Sequence, residues 1–122
     1  MEKGKQLGEY SFKSTSNRVR EDGKLEINFE GTVTGFGFVI NIMTVTVGDG
    51  KSGSYDLREV SYRDDGTVTT ASSEDGRYKS TSKFEWATTG VIKADGRAFV
   101  EEGVMELATR TWSGKFYEAT IR

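Results

Sequence analysis

The chain has 122 residues, of which 30% are charged and 11% aromatic, and its formal net charge is -2. This length supports one domain with its own core, and the chain lacks the basic excess that attracts nucleic acid or an anionic membrane. There is no Cys, His or Pro. Disulfides, thiolate nucleophiles, His-based triads and the usual zinc or copper sites are therefore excluded. We expect a single domain, 1–122, with no metal, no cofactor, no nucleic-acid partner and no membrane partner.

Residues 1–6 are polar, and no apolar segment of signal-peptide type follows them. The longest apolar run is far shorter than the roughly 20 residues that a membrane-spanning helix needs. A cytoplasmic location is the expectation, although a secreted protein whose signal has been removed shares these features.

Turn signals recur along the whole chain, with Asp-Gly at 22–23, 49–50, 65–66, 75–76 and 95–96, and Ser-Gly at 113–114. Asp-Gly between strand-like residues favours a tight hairpin, because a type I′ turn needs positive φ at both central positions. No convincing helical period separates these breaks. The spacing predicts short antiparallel strands joined by tight turns.

Strands are predicted over residues 8–17, 24–33, 54–62, 67–73, 77–88, 97–109 and 115–121. In 54–62 the apolar positions change parity near Arg58-Glu59, which predicts a bulge there or a change of the covered face. The Thr- and Ser-rich segment 67–73 is the weakest of these strands and is expected to be exposed.

The glycines at 31–37 are compatible with a turn near Thr34-Gly35 or with one long strand bent at glycine, and we favour the turn. In 77–88, the aromatic residues Tyr78, Phe84 and Trp86 share one face. The segment 97–109 is expected to be interrupted at 101–103.

Residues 36–47 form the most apolar stretch and predict a strand with two apolar faces. One side carries Phe36, Phe38, Ile40 and Ile42, and the other carries Val39, Met43, Val45 and Val47. One face fills the core of the domain, and a partner subunit is the simplest cover for the other. We predict a homo-oligomer that forms through the strand 36–47.

About eight strands joined by tight turns predict an all-β fold, a single up-and-down antiparallel β-barrel. Closure removes the unpaired strand edges that invite aggregation, and it leaves an interior for side chains or one small ligand. A two-sheet β-sandwich is the alternative.

The Gly-rich hairpins and the segment Phe-Glu-Gly-Thr-Val-Thr-Gly-Phe-Gly at 29–37 resemble small eight-stranded barrels of the allene oxide cyclase-like type, in particular its uncharacterised bacterial members. The resemblance is one of pattern and extends over most of the chain. It implies a barrel whose interior isomerises an apolar epoxide and, from the plant enzymes, a trimeric assembly. No catalytic residue of that family is matched to a position here.

Other motifs have plainer interpretations. Residues 48–53 match G-x-G-x-x-G, but a strand rather than a helix follows, which indicates a hairpin turn and not a phosphate site. The acidic pairs Asp64-Asp65 and Glu74-Asp75 are interpreted as solvated turns, and Glu101-Glu102 as surface charge.

Five residues are candidates for ligand binding. Asn41 is the one amide in the apolar strand, and it is satisfied by a neighbour or orients a ligand carbonyl. Tyr and Trp combine an apolar body with a polar tip, which suits a mostly dry pocket as well as a filled core. The aromatic candidates are Tyr55, Tyr78, Trp86 and Trp112.

Three functions stay open. The favoured one is a barrel that binds a small, mostly apolar molecule. The second is a cofactor-free isomerase or cyclase, for which Glu106 is the most plausible carboxyl if it points inward; the opposite orientation fits the pattern equally well. The third is a structural protein whose function is its oligomer. An interior cavity would separate the first two from the third.

Overall fold

The computed structural model describes residues 2–120, apart from the side chain of Glu74; Ile121, at the end of the last predicted strand, lies outside the described residues. Within 2–120 there are eight strands and no helix. The strands are β1 Glu2–Val19, β2 Leu25–Val33, β3 Gly37–Thr46, β4 Ser52–Tyr62, β5 Val68–Ser82, β6 Glu85–Ala94, β7 Arg97–Glu106 and β8 Thr111–Thr120. The predicted all-β class and the number of strands are confirmed.

Closure of the sheet depends on β1. Each strand pairs antiparallel with its neighbours in the chain, and β1 also pairs with β8, so the sheet becomes a closed barrel. At 18 residues β1 is long enough to pair with both, with Tyr10 opposite Val33 of β2 on one side and Gly114 of β8 on the other. The predicted up-and-down barrel is confirmed, and the β-sandwich alternative is wrong.

Most of the predicted turns are present. Four Asp-Gly pairs, at 22–23, 49–50, 65–66 and 95–96, lie in hairpin turns, and the glycine of each pair has positive φ. A turn at 34–36 separates β2 from β3, as favoured from the sequence, and Gly35 has φ +78°. Tight turns with left-handed residues match the right-handed twist of the flanking strands.

Two predicted breaks are wrong, because Asp75-Gly76 lies inside β5 and Ser113-Gly114 inside β8. Both glycines permit close approach instead of a turn. A Cβ on Gly76 would lie 2.3 Å from a ring carbon of Tyr55, and one on Gly114 would lie 2.2 Å from the carbonyl oxygen of Glu102.

The true turns near these positions, at 83–84 and 107–110, contain no glycine, and the sequence does not predict them. The predicted strand 77–88 is therefore divided between β5 and β6. The expected interruption at 101–103 is absent, because β7 is continuous from Arg97 to Glu106.

The strand β3 has one face in the barrel and one in solvent. Its inward side chains are buried, and they are Val39, Asn41, Met43 and Val45. Its outward side chains Phe38, Ile40 and Ile42 are 44–45% exposed. Phe36 does not belong with them: it lies in the turn 34–36 and packs edge-on against Phe99 and Phe116, because the turn ends the alternation of the strand.

The interior contains two apolar clusters. The larger one includes Phe12, Phe29, Tyr55, Tyr78 and Trp112, and the smaller one consists of Ala94, Phe99 and Phe116. We call the end with turns 34–36, 64–66 and 95–96, beside the smaller cluster, the cavity end. The opposite end, with turns 21–23, 48–50, 83–84 and 107–110, is the plug end.

Phe84 is not part of either cluster. It lies in the turn 83–84 and is 52% exposed, so its predicted place beside Tyr78 and Trp86 is wrong. No helix among residues 2–120 has the length and apolar character needed to cross a bilayer.

Two phenylalanines provide a matched test of the core. Phe29 is 1% exposed and contacts the rings of Phe12 and Trp112. Phe29→Ala should lower the free energy of unfolding by about 3–5 kcal/mol, because it leaves a cavity among aromatic rings. Phe84→Ala should lower it by less than about 1 kcal/mol. Urea unfolding of both variants measures the difference, and equal losses would contradict the assigned core.

Candidate functional site

The side chain of Glu101 points into the barrel, and the residue is 3% exposed. It points inward because Glu101 alternates along β7 with Phe99 and Met105, which are both buried. The surface interpretation of Glu101-Glu102 is therefore wrong for Glu101. It holds for Glu102, whose carboxylate is partly exposed on the outer face and lies 2.6 Å from the ammonium of Lys3.

Hydroxyl groups from three strands donate to Glu101. Tyr10 Oη donates to Oε1 at 2.7 Å, Thr88 Oγ1 donates to Oε1 at 3.0 Å, and Tyr55 Oη donates to Oε2. Trp112 Nε1 donates in turn to Thr88 Oγ1 at 3.0 Å. We call these five residues the carboxyl network. Every donor in it is buried, so the group is satisfied without solvent.

Inward glycines make room for the two tyrosines of this network. A Cβ on Gly103 would lie 2.0 Å from Tyr10 Oη. A Cβ on Gly90 would lie 3.2 Å from Tyr55 Oη and 3.3 Å from Glu101 Oε2. With Gly76, which the ring of Tyr55 covers, these positions let two large side chains reach the centre of the barrel. Gly76, Gly90 and Gly103 therefore provide space for the side chains of the carboxyl network, and none of them lies in a turn.

Burial changes the acid–base properties of the network. It raises the pKa of Glu101, because the charged form loses its hydration, and the three hydroxyl donors oppose this shift. Burial also raises the pKa of Tyr10 and of Tyr55, and the negative charge of Glu101 raises both further. The tyrosines are therefore donors throughout the physiological pH range.

A second carboxyl, that of Glu59 on β4, lies near the first and is half-buried. Asn41 Nδ2 donates to Glu59 Oε1 at 3.3 Å. Burial and then the charge of Glu101 raise the pKa of Glu59 to about 7, and the hydrogen bond from Asn41 opposes the shift. Glu59 therefore changes its charge near neutral pH.

Three buried side-chain polar atoms have no hydrogen-bond partner among residues 2–120: Asn41 Oδ1, Ser73 Oγ and Arg63 Nε. Asn41 and Ser73 are almost fully buried. An unpaired buried acceptor costs roughly 1–3 kcal/mol, so such atoms call for an explanation.

A cavity lies between the two carboxyls and the cavity end, and about 50 Å³ of it is open to the centre of a water molecule. One water needs roughly 10–15 Å³ by this measure, so the space admits more than one water or a small organic group. The lining residues are mostly apolar: Tyr10, Phe12, Val33, Phe36, Val39, Glu59, Ser61, Thr69, Ala71, Ile92, Ala94, Phe99, Glu101, Trp112 and Phe116. No Lys or Arg of the described chain is among them.

Three turns meet over this cavity. Phe36 from the turn 34–36 lines it, and the guanidinium carbon of Arg63 lies 4.8 Å from the Phe36 ring centroid. Arg63 Nη2 also lies 2.5 Å from Asp95 Oδ2 of the turn 95–96. At the cavity end, the ring of Phe36 thus lines the cavity and contacts Arg63, which is paired with Asp95.

Of the five predicted ligand residues, Trp112 alone is among the described residues that line the cavity. Tyr55 belongs to the carboxyl network and Asn41 binds Glu59, but neither lines the cavity. Tyr78 and Trp86 lie elsewhere. Their rings stack with centroids 4.0 Å apart towards the plug end, where Tyr78 Oη donates to the carbonyl of Val47.

The acidic residues of the site differ from the predicted one. Glu106 is exposed and accepts a hydrogen bond from Thr109 Oγ1 at 3.1 Å, so it does not line the cavity. The sequence does indicate that Glu59 and Glu101 point inward. Each lies two residues after an apolar residue that is buried, Leu57 in β4 and Phe99 in β7, and therefore on the same face of its strand.

The remaining motifs take no part in a site. The segment 48–53 leads from β3 into β4, and Asp49 Oδ1 accepts from the amides of Lys51 and Ser52, which confirms a hairpin turn. No group of three or more acidic residues within the described part of the chain is arranged to hold a metal ion.

Comparison with known proteins identifies no relative. No family model, curated protein or solved structure matches the chain significantly. The resemblance to allene oxide cyclase-like barrels therefore stays a prediction, and inferences about function depend on the site itself.

The titration of Glu59 has a consequence for stability. A carboxyl whose folded-state pKa is about 7, against 4.5 ordinarily, favours folding while it stays protonated. This contribution is complete below about pH 4.5 and is lost as the pH rises to about 7. Glu59→Gln keeps an acceptor for Asn41 but does not titrate. The variant should therefore gain stability relative to the wild type between pH 5 and pH 8, by roughly 1–3 kcal/mol.

Urea unfolding at both pH values measures this difference. Glu102→Gln makes the same substitution on the exposed outer face and controls for the loss of one charge. Parallel pH profiles for the wild type and Glu59→Gln would contradict the assigned environment of Glu59.

Proposed function

We propose that the barrel binds a small, mostly apolar molecule in the cavity between the carboxyl pair and Phe36. The observation that carries this proposal is a cavity whose walls are apolar while two carboxyls, Glu59 and Glu101, line the same space. Ligand sites typically combine apolar walls with a few polar groups that fix orientation. The apolar body of the ligand would contact Phe99, Phe116 and Trp112.

The size of the cavity limits the ligand. Small side chains, Ser61, Ala71 and Ala94, line it beside the larger aromatic ones. A single aromatic ring or a short aliphatic chain suits such a space, and a larger molecule would have to displace Phe36. Release of poorly ordered water from apolar walls would favour binding.

Benzyl alcohol is a suitable neutral probe, because it combines one ring with one hydroxyl. It should bind the wild type and raise its melting temperature, since a ligand that binds only the folded state stabilises it. Ala71→Leu adds bulk to the cavity and should weaken binding by about tenfold or more. Thr70→Leu, one residue earlier and facing outward, should bind as the wild type does.

Thermal shift and calorimetric titration measure both effects. Folding of each variant is checked by circular dichroism. Failure of benzyl alcohol and of other small apolar probes to bind the wild type would contradict the proposed function.

A cofactor-free isomerase or cyclase is the second candidate. It is favoured by Glu59, whose carboxyl lines the cavity and has its pKa raised to about 7. General acid–base catalysis is most effective when the catalytic pKa lies near the working pH. Glu59 would transfer the proton, and the hydrogen-bonded Glu101 would stabilise positive charge that develops on a substrate. The resemblance to allene oxide cyclase-like barrels agrees with this candidate.

Self-association through β3 is an additional proposal. The outward residues Phe38, Ile40 and Ile42 continue across the sheet, because Phe38 pairs with Tyr62 and Tyr62 with Val68, and both partners are also exposed. Contiguous exposed apolar side chains of this kind often mark an interface. A second copy of the chain is the proposed cover.

Ile40→Lys places a charge in the centre of this surface and should shift the protein towards monomer at a given concentration. Val104→Lys is the matched control, because Val104 is also exposed and lies on β7, four strands away around the barrel. Sedimentation velocity measures both. A wild type that is monomeric at high concentration would contradict this proposal.

A further inference from the structure

We propose that the ligand of this cavity carries a protonated amine, and that its ammonium group binds beside Glu59 and Glu101. This inference rests on the proposed function, since it names the chemical class of the molecule that the cavity binds. Its basis is a cavity lined by two carboxyls and, among the described residues, by no cationic side chain.

The charge of the site is not balanced by the protein. Two carboxyls line the cavity, and none of the described residues that line it is a Lys or Arg. Arg63 lies at the cavity end but is not among the residues that line the cavity; its Nη2 pairs with Asp95, its guanidinium contacts the Phe36 ring, and its buried Nε has no partner within residues 2–120. A buried negative charge without a cation is unfavourable, so a cationic ligand would supply what the barrel lacks.

Hydrogen bonding gives an independent reason. Glu101 accepts from three hydroxyls, but within residues 2–120 Glu59 accepts only the 3.3 Å bond from Asn41. Asn41 Oδ1 also has no partner within that range, but Asn41 does not line the cavity, so the acceptor that a ligand can reach is the carboxyl of Glu59. An ammonium group has three donors and no acceptor, which matches a site with unused acceptors. A carboxylate ligand would bring only further acceptors.

The walls select an organic cation over a metal ion. The lining includes the rings of Tyr10, Phe12, Trp112, Phe99 and Phe116, and the faces of aromatic rings attract cations. A metal ion would require several hard ligands, and no such group occurs in the described part of the chain. A small amine with an apolar body satisfies both the carboxyls and the rings.

The experiment compares three probes of one shape: benzylamine, benzyl alcohol and benzoate. Calorimetric titration is performed at about pH 8, where the amine and Glu59 are both charged. The groups that face Glu59 are Asn41 from β3, Glu101 from β7 and Tyr10 from β1, and they are present in all proteins compared. Benzylamine should bind the wild type about tenfold or more tightly than benzyl alcohol, and benzoate should bind most weakly.

Glu59→Gln removes the charge but keeps the shape. It should weaken benzylamine binding by about tenfold or more while changing benzyl alcohol binding by less than about threefold. Glu102→Gln, on the outer face, should leave both affinities as they are in the wild type. The benzyl alcohol measurement reports whether the variant cavity still forms.

The outcomes separate this inference from the proposed function. If benzyl alcohol binds and benzylamine binds no more tightly, the ammonium proposal is overturned and the proposed function stands. An amine preference that survives in Glu59→Gln also overturns it. If none of the three probes binds the wild type, both proposals fail.

Discussion

The hydrogen bonds to the buried carboxyl of Glu101 are the interaction on which the interior of this barrel depends. A carboxyl removed from water is strongly unfavourable unless donors replace its hydration. Here the replacement comes from hydroxyls on β1, β4 and β6, and an indole of β8 supports one of them. The positions of Tyr10, Tyr55 and Thr88, and the glycines that clear space for them, are consequences of this one requirement.

The polar centre also divides the barrel into two unlike parts. Towards the plug end, large side chains such as Phe29, Met43 and the stacked pair Tyr78 and Trp86 fill the interior. Towards the cavity end, the lining includes Ser61, Ala71 and Ala94, and the space is not filled. Packing of this kind stabilises the fold with one half and leaves the other half available for recognition.

Local patterns in the sequence predict the barrel well and its centre poorly. Asp-Gly turns and alternation predict the strands and their hairpin pairing, because both features act between neighbours in the chain. Closure is inferred from the strand number, since it removes the free edges. The same logic fails at Gly76 and Gly114, since glycine also serves close packing against residues far away in sequence. Glu101 is misjudged for the same reason: its donors Tyr10 and Tyr55 are 91 and 46 residues distant. The one local indication that Glu101 is buried is its position two residues after Phe99, on the same face of β7.

The pairing of β1 with β8 has a consequence for biosynthesis. One edge of β1 acquires its partner early, from β2, but the other waits for a strand made about a hundred residues later, since Tyr10 pairs with Gly114. While the chain is still emerging from the ribosome, β1 and β8 are therefore not yet paired, and the sheet has two free strand edges. Such distant pairing is intrinsically slow to form. Until β8 leaves the ribosome, the free edges of β1 and β7 can pair with strands of other chains.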